Sequence, residues 1–131
     1  MKKTNKGFSL VELIIVIAIM AILIGVLAPQ YIKYVEKSRV SADEDTADSL
    51  KNAAMTATTD EEYIYSINDG TVVLQSSGVT NGCGGGMESA LNEYFAKWTT
   101  STLKSKKYKN SRYEISVYTD NGALKVVADW K

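Results

Sequence analysis

A polar stretch from Met1 to Gly7, carrying Lys2, Lys3 and Lys6, gives way abruptly to an apolar one. From Phe8 to Ala28 only Ser9 and Glu12 interrupt the apolar run. A helix of about 21 residues rises about 32 Å, enough to cross a bilayer, and the flanking lysines predict that its amino-terminal end stays cytoplasmic. Beyond Pro29 the pattern becomes a narrow stripe with helical spacing, Val40, Ala47, Leu50, Ala54 and Ala57, with acids and serines between. No proline or glycine occurs from Gln30 until Gly70, so one helix is predicted from about Phe8 to about Thr58. A helix so long in so small a protein cannot bury itself, and its bare half must pack on membrane or on other copies.

After Thr59 the period shortens to two. Tyr63 to Ile67 and Thr71 to Gln75 flank Asn68-Asp69-Gly70, a turn signal that predicts a hairpin between them. Asn81-Gly82-Cys83-Gly84-Gly85-Gly86 reads as a sharp surface turn. Met87 to Trp98 is predicted as a short helix with Leu91, Tyr94, Phe95 and Trp98 facing a core. Tyr113 to Thr119 and Ala123 to Trp130 alternate around Asn121-Gly122, a type I′ turn pair. The expected fold class is α+β. A long amino-terminal α-helix, hydrophobic in its first half, lays its second half on a small antiparallel sheet of about four strands.

Composition narrows the chemistry. There is no histidine and one cysteine among 131 residues, which removes the commonest general base and metal ligand and any disulfide within the chain. No metal or cofactor set is expected, and no catalytic constellation is legible. The glycine-rich loop lacks the Gly-Lys-Ser/Thr of a Walker loop, and Met87 stands where a dinucleotide loop needs its third glycine. Cys83 reads as an incidental small residue, with a reactive thiol as the competing reading. Lysines, arginine and acids balance to a net charge of zero, but unevenly. Acids crowd Glu36 to Glu62, and Lys104, Lys106, Lys107, Lys109 and Arg112 form a basic loop free of acids. These are read as solvated faces, as patches that attract between copies, or, given Tyr108 and Tyr113, as a site for DNA or a host surface.

Glu12 is the anomaly of the apolar run, because a charge at the centre of a membrane helix costs roughly 2.5 to 3.5 kcal/mol. An ordinary secretory signal peptide cut after Ala28, or a plain membrane anchor, leaves it unexplained. Gly7-Phe8-Ser9-Leu10-Val11-Glu12, behind a basic leader and ahead of an apolar helix, closely resembles the class III signal of type IV prepilins. Gly25, Pro29 and Tyr31-Ile32-Lys33-Tyr34 extend the resemblance, which covers about residues 1 to 55.

The resemblance implies residues 1–7 as a leader, 8–29 as a transmembrane and assembly helix and 30–131 as a headgroup. It implies a prepilin peptidase that cuts between Gly7 and Phe8, methylation of the new Phe8 amine, and a homo-oligomeric helical filament raised by an assembly platform and ATPase. The protein would reside in the cytoplasmic (inner) membrane before assembly and on the cell surface after it. Glu12 would pair with the Phe8 amine of a neighbouring subunit and set register, or else snorkel to the headgroups. Gly25 and Pro29 would mark a kink or a locally melted turn. The alternatives are a pseudopilin of a secretion or DNA-uptake machine and an adhesin or DNA-binding minor pilin using the loop 104–112. Many pilins carry a carboxy-terminal disulfide staple, and a chain with Cys83 alone departs from that pattern.

Overall fold

The computed structural model describes residues 7–131, so Lys2, Lys3 and Lys6 lie outside the described residues. Helix α1 spans Leu10–Ala57, close to the predicted limits. It passes through two units into which the chain divides, one ending at Val35 and one from Glu36 to Lys131. The first unit is a single stretch of helix with every residue from Leu10 to Lys33 exposed. By length and composition it is apolar enough to cross a membrane. Its surface is hydrophobic all round, which is what a helix surrounded by lipid or by other apolar helices shows.

The second unit holds the core. Four antiparallel strands, β1 (Gly70–Gln75), β2 (Gly78–Asn81), β3 (Tyr113–Asp120) and β4 (Ala123–Trp130), pair in the order β2-β1-β3-β4. Alternation decides the inner face: Val72 and Leu74 on β1 and Tyr113, Ile115 and Val117 on β3 are buried, while their neighbours are more accessible. Ala47, Leu50, Ala53, Ala54 and Ala57 of α1 join the same core cluster. Helix α2 (Gly85–Tyr94) adds Met87, Ala90 and Leu91 to it.

Three expectations change. The hairpin partner of β1 is β2, through Ser76 and Ser77, rather than Tyr63 to Ile67. That segment instead folds as turns and a short 3-10 helix at Ile64–Ser66. Gly70 explains the difference, since it opens β1 rather than closing a turn. A Cβ there would stand 2.2 Å from the carbonyl oxygen of Gly82, so the chain crosses itself at this point and only glycine fits. The predicted helix Met87 to Trp98 begins two residues earlier and ends at Tyr94, with Trp98 in a separate 3-10 turn. Gly84 precedes α2 with φ of 88°, a left-handed backbone that a side chain would strain. Cys83, expected at the surface, is fully buried. Asn121 and Gly122 take the predicted type I′ turn, both with positive φ.

Candidate functional site

Two places carry the residues singled out by the sequence, one in each unit. At the amino-terminal end of α1, Ser9 and Glu12 form a reciprocal cap. The Ser9 N–H donates to Glu12 Oε2 at 3.0 Å, and the Glu12 N–H donates to Ser9 Oγ at 3.2 Å. Two of the backbone donors that every helix leaves unpaired at its start are thereby satisfied. The Ser-x-x-Glu spacing was in the sequence, and this second use of Glu12 could have been read from it. The cap folds the carboxylate back over the first turn onto Ser9, and Phe8, which precedes Ser9, is 88% exposed. Gly7 is exposed, and a Cβ there would meet nothing within 4 Å.

Further along the same unit, α1 stays helical across Gly25 and Pro29. The two residues weaken one rung of the helix together. Pro29 has no N–H to offer the carbonyl of Gly25 four positions earlier, and its ring crowds that carbonyl. A Cβ on Gly25 would meet open space. The helix runs on through this rung, and Pro29 leaves the Gly25 carbonyl without its usual backbone donor.

In the second unit the basic loop is held down by acids that sequence reading had placed in solvent. Four consecutive backbone N–H groups donate to two carboxylates of α1. Lys104 N lies 2.9 and 3.1 Å from the two oxygens of Asp43, and Ser105 N lies 2.8 Å from Asp43 Oδ2. Lys106 N and Lys107 N reach Glu36 Oε1 at 2.6 and 3.3 Å. Asp43 is only 2% exposed, so it is a buried carboxylate satisfied by backbone donors. Glu44 receives the Tyr108 hydroxyl at 2.7 Å and Lys107 Nζ at 3.5 Å. The Tyr108 hydrogen bond holds the Glu44 carboxyl below its ordinary value against the opposing effect of desolvation, with a lesser contribution from Lys107.

Acids and bases thus meet inside one chain, which corrects the reading of two solvated faces. Nothing in the residue order signals it, because an acid at one turn of a helix looks the same whether it faces water or a distant loop. Tyr108 and Tyr113 are also buried, and Tyr108 stacks on Trp130 with ring centroids 3.8 Å apart. Neither ring is free to stack on a nucleic-acid base. The side chains of Lys104, Lys106, Lys109 and Arg112 point to solvent while their backbone is fixed.

Elsewhere in the second unit, Tyr63 donates to Glu93 and Tyr94 donates to Asp60. These bonds push both phenols up, Tyr94 to about 12, and draw Asp60 down. Burial pushes the Cys83 thiol up to about 11, with Asp69 adding to it, which is the opposite of what an activated thiol needs.

The chain matches the family model described as the prokaryotic N-terminal methylation motif over residues 2–28. It is 39% identical over 64 residues to a fimbrial protein of Pseudomonas aeruginosa, covering 49% of this chain and 42% of the relative. It is 40% identical over 60 residues to the type IV major fimbrial protein FimA of Dichelobacter nodosus, covering 46% and 38%. A longer and weaker match, 28% over 137 aligned positions, reaches 82% of this chain and 90% of the fimbrial protein EcpC of Eikenella corrodens. No solved structure matches the chain. The aligned part spans about two fifths of the length of the first two relatives. Methylation motif, bare apolar helix and fimbrial relatives agree, and the amino-terminal segment of the chain is similar to that of type IV fimbrial proteins.

Proposed function

We propose that the chain is the structural subunit of a type IV pilus. A prepilin peptidase cuts it between Gly7 and Phe8, the new Phe8 amine is methylated, and the product polymerises into a surface fibre. The observation that carries this reading is the helix of the first unit, which is wholly exposed and apolar behind Gly7-Phe8-Ser9-Leu10-Val11-Glu12. Such a surface is tolerated in lipid before assembly and against identical helices after it. Heterologous contacts between identical subunits that do not close generate open helical filaments. The role is mechanical and needs no catalytic residue or cofactor, and the relatives named as fimbrial proteins support it. Residues 1–7, 8–29 and 30–131 serve as leader, membrane and assembly helix, and headgroup. An assembly platform with its ATPase extracts the subunit from the cytoplasmic membrane.

In this reading Glu12 meets the Phe8 amine of a neighbouring subunit, so that two charges lose their desolvation cost together and fix the axial register. The weakened rung between Gly25 and Pro29 opens on extraction, where neighbouring helices can shield the freed carbonyl.

Mass spectrometry of protein sheared from the source cell's surface tests the reading. A chain beginning at methylated Phe8, recovered from filaments seen by electron microscopy, is expected. A chain beginning at Pro29 or at Met1 would overturn it. Gly7 is a useful companion site: its Cβ position is open, so a bulky substitution there blocks processing without disturbing the fold.

A further inference from the structure

A cleft of about 360 Å³ opens at one end of the sheet, where the β1–β2 turn, the residue before β3 and the residue after β4 converge. Ligand pockets run from roughly 300 to 1,000 Å³, so this is a small one. Sheet register brings its walls together. Leu74 pairs with Tyr113 and Tyr113 with Trp130. Arg112 and Lys131 follow as a closed pair, with N to O distances of 2.9 and 2.8 Å in the two directions. Lys109, Arg112 and Lys131 line the cleft, with the hydroxyl-bearing Ser76, Ser77 and Ser111 among them.

The electrostatic balance is unequal. Among the described residues Glu114 is the acidic side chain that pairs with these bases, 2.5 Å from Arg112 Nε and 3.9 Å from Lys131 Nζ. It is mostly covered, at 19% exposure, while the Arg112 and Lys131 side chains are 57% and 56% exposed. Lys109 makes no salt bridge among the described residues. Three side-chain cations against the Glu114 side chain and the α-carboxylate of Lys131, whose oxygen accepts from Arg112 N, leave the cleft with a small net positive charge. Glu114 orients two of them, much as an anchoring carboxylate orients an anion-binding arginine.

We propose that this cleft binds an acidic saccharide, a sugar bearing a carboxylate or a sulfate. Lys109, Arg112 and Lys131 face the anionic group, and the serine hydroxyls, each both donor and acceptor, face the hydroxyls of the ring. Size and lining distinguish this ligand from a nucleic acid strand. Single strands are held by an extended basic groove with aromatic platforms. Here the nearby rings of Tyr108 and Trp130 are stacked on each other and line no part of the cleft. The site belongs to the second unit alone, so it stands whether or not the chain polymerises.

The test is a titration of the ¹⁵N-labelled full chain in uncharged detergent micelles, followed by NMR. The probes are glucuronic acid and glucose 6-sulfate, with glucose, inorganic sulfate and a short oligothymidylate as comparisons. Saturable shifts confined to the amides of Ser76, Ser77, Lys109 to Arg112 and Lys131 are expected with the two acidic sugars and not with glucose. Lys109→Ala, which breaks no salt bridge, should weaken binding about tenfold, the effect of losing one charge-assisted contact. Ser77→Ala should weaken the acidic sugars while leaving inorganic sulfate unchanged. No saturable shift, or equal affinity in Lys109→Ala, would overturn the proposal. So would sulfate that binds as tightly as the sugars, or an oligothymidylate that displaces them from the same amides.

Discussion

The Oδ2 atom of Asp43 lies 2.8 Å from the backbone nitrogen of Ser105, a buried contact between residues 62 positions apart. It ties α1 to the loop that follows α2 without a covalent link. In a chain with one cysteine, this carboxylate and its neighbours Glu36 and Glu44 do locally what a disulfide staple does elsewhere.

Asp43→Ala leaves the N–H groups of Lys104 and Ser105 without acceptors. Each unsatisfied buried donor costs about 1 to 3 kcal/mol, so a loss of about 3 kcal/mol is expected. For a unit this small the melting temperature falls by more than about 10 °C, measured by circular dichroism at neutral pH. Lys104→Ala is the control. Only its backbone enters the contact and its side chain is exposed, so its change stays within about 0.5 kcal/mol.

Acid should loosen the same region. Glu44 and Asp60 are held below their ordinary values of 4.5 and 3.8, each chiefly by a tyrosine hydroxyl, Tyr108 and Tyr94 respectively. A folded value below the unfolded one gives stability that is complete above the unfolded value and fades as pH falls through the folded one. Melting temperature is thus expected to drop below about pH 4.5, and Tyr108→Phe and Tyr94→Phe should each flatten part of that drop. Tyr94 works in the other direction. Its value is raised from 10.0 to about 12, so its contribution is complete below pH 10 and fades between those two values. An acid limb unchanged in the double variant would refute the assignment.

Glu12 has two roles in view, cap and charge, and one substitution separates them. Glutamine at this position in Glu12→Gln still reaches the Ser9 N–H, as glutamine does in capping boxes, but carries no charge. If pairing with the Phe8 amine drives assembly, Glu12→Gln is processed, stays helical in micelles and forms no fibres, like Glu12→Ala. Fibres from Glu12→Gln but not from Glu12→Ala would assign the effect to the cap. The readouts are amino-terminal mass spectrometry, circular dichroism and electron microscopy.

Cys83 is fully buried with its thiol pushed up to about 11, so iodoacetamide at pH 8 should leave the folded chain unmodified. Modification should become rapid above the urea midpoint, which makes alkylation a probe of unfolding in the second unit. Rapid labelling of the native protein would contradict the burial.

Fold class, the limits of α1, the turn at Asn121-Gly122 and the apolar first half of the helix were all legible in the residue order. The hairpin partner of β1 was not. Asp-Gly at Asp69 and Gly70 is a strong local turn signal, yet Gly70 is required by a contact with Gly82, and a non-local clash outranks a local preference. The end of α2 at Tyr94 was missed for a related reason, since Trp98 keeps its buried position through a separate turn and a hydrogen bond to Asn92.

The sequence by itself determined what rests on periodicity and local chemistry: the membrane-length run, the charge within it, the cap at Ser9 and Glu12, and the strands that alternate. Tertiary structure alone decided which acids are structural and which cations are exposed. Asp43, Glu44 and Asp45 are adjacent in sequence, but helical rotation of about 100° per residue buries Asp43, half exposes Glu44 on the loop and leaves Asp45 in water. The cleft around Lys109, Arg112 and Lys131 has the same origin. Strand register, set by the buried faces of β1, β3 and β4, brings together charges that lie far apart along the chain.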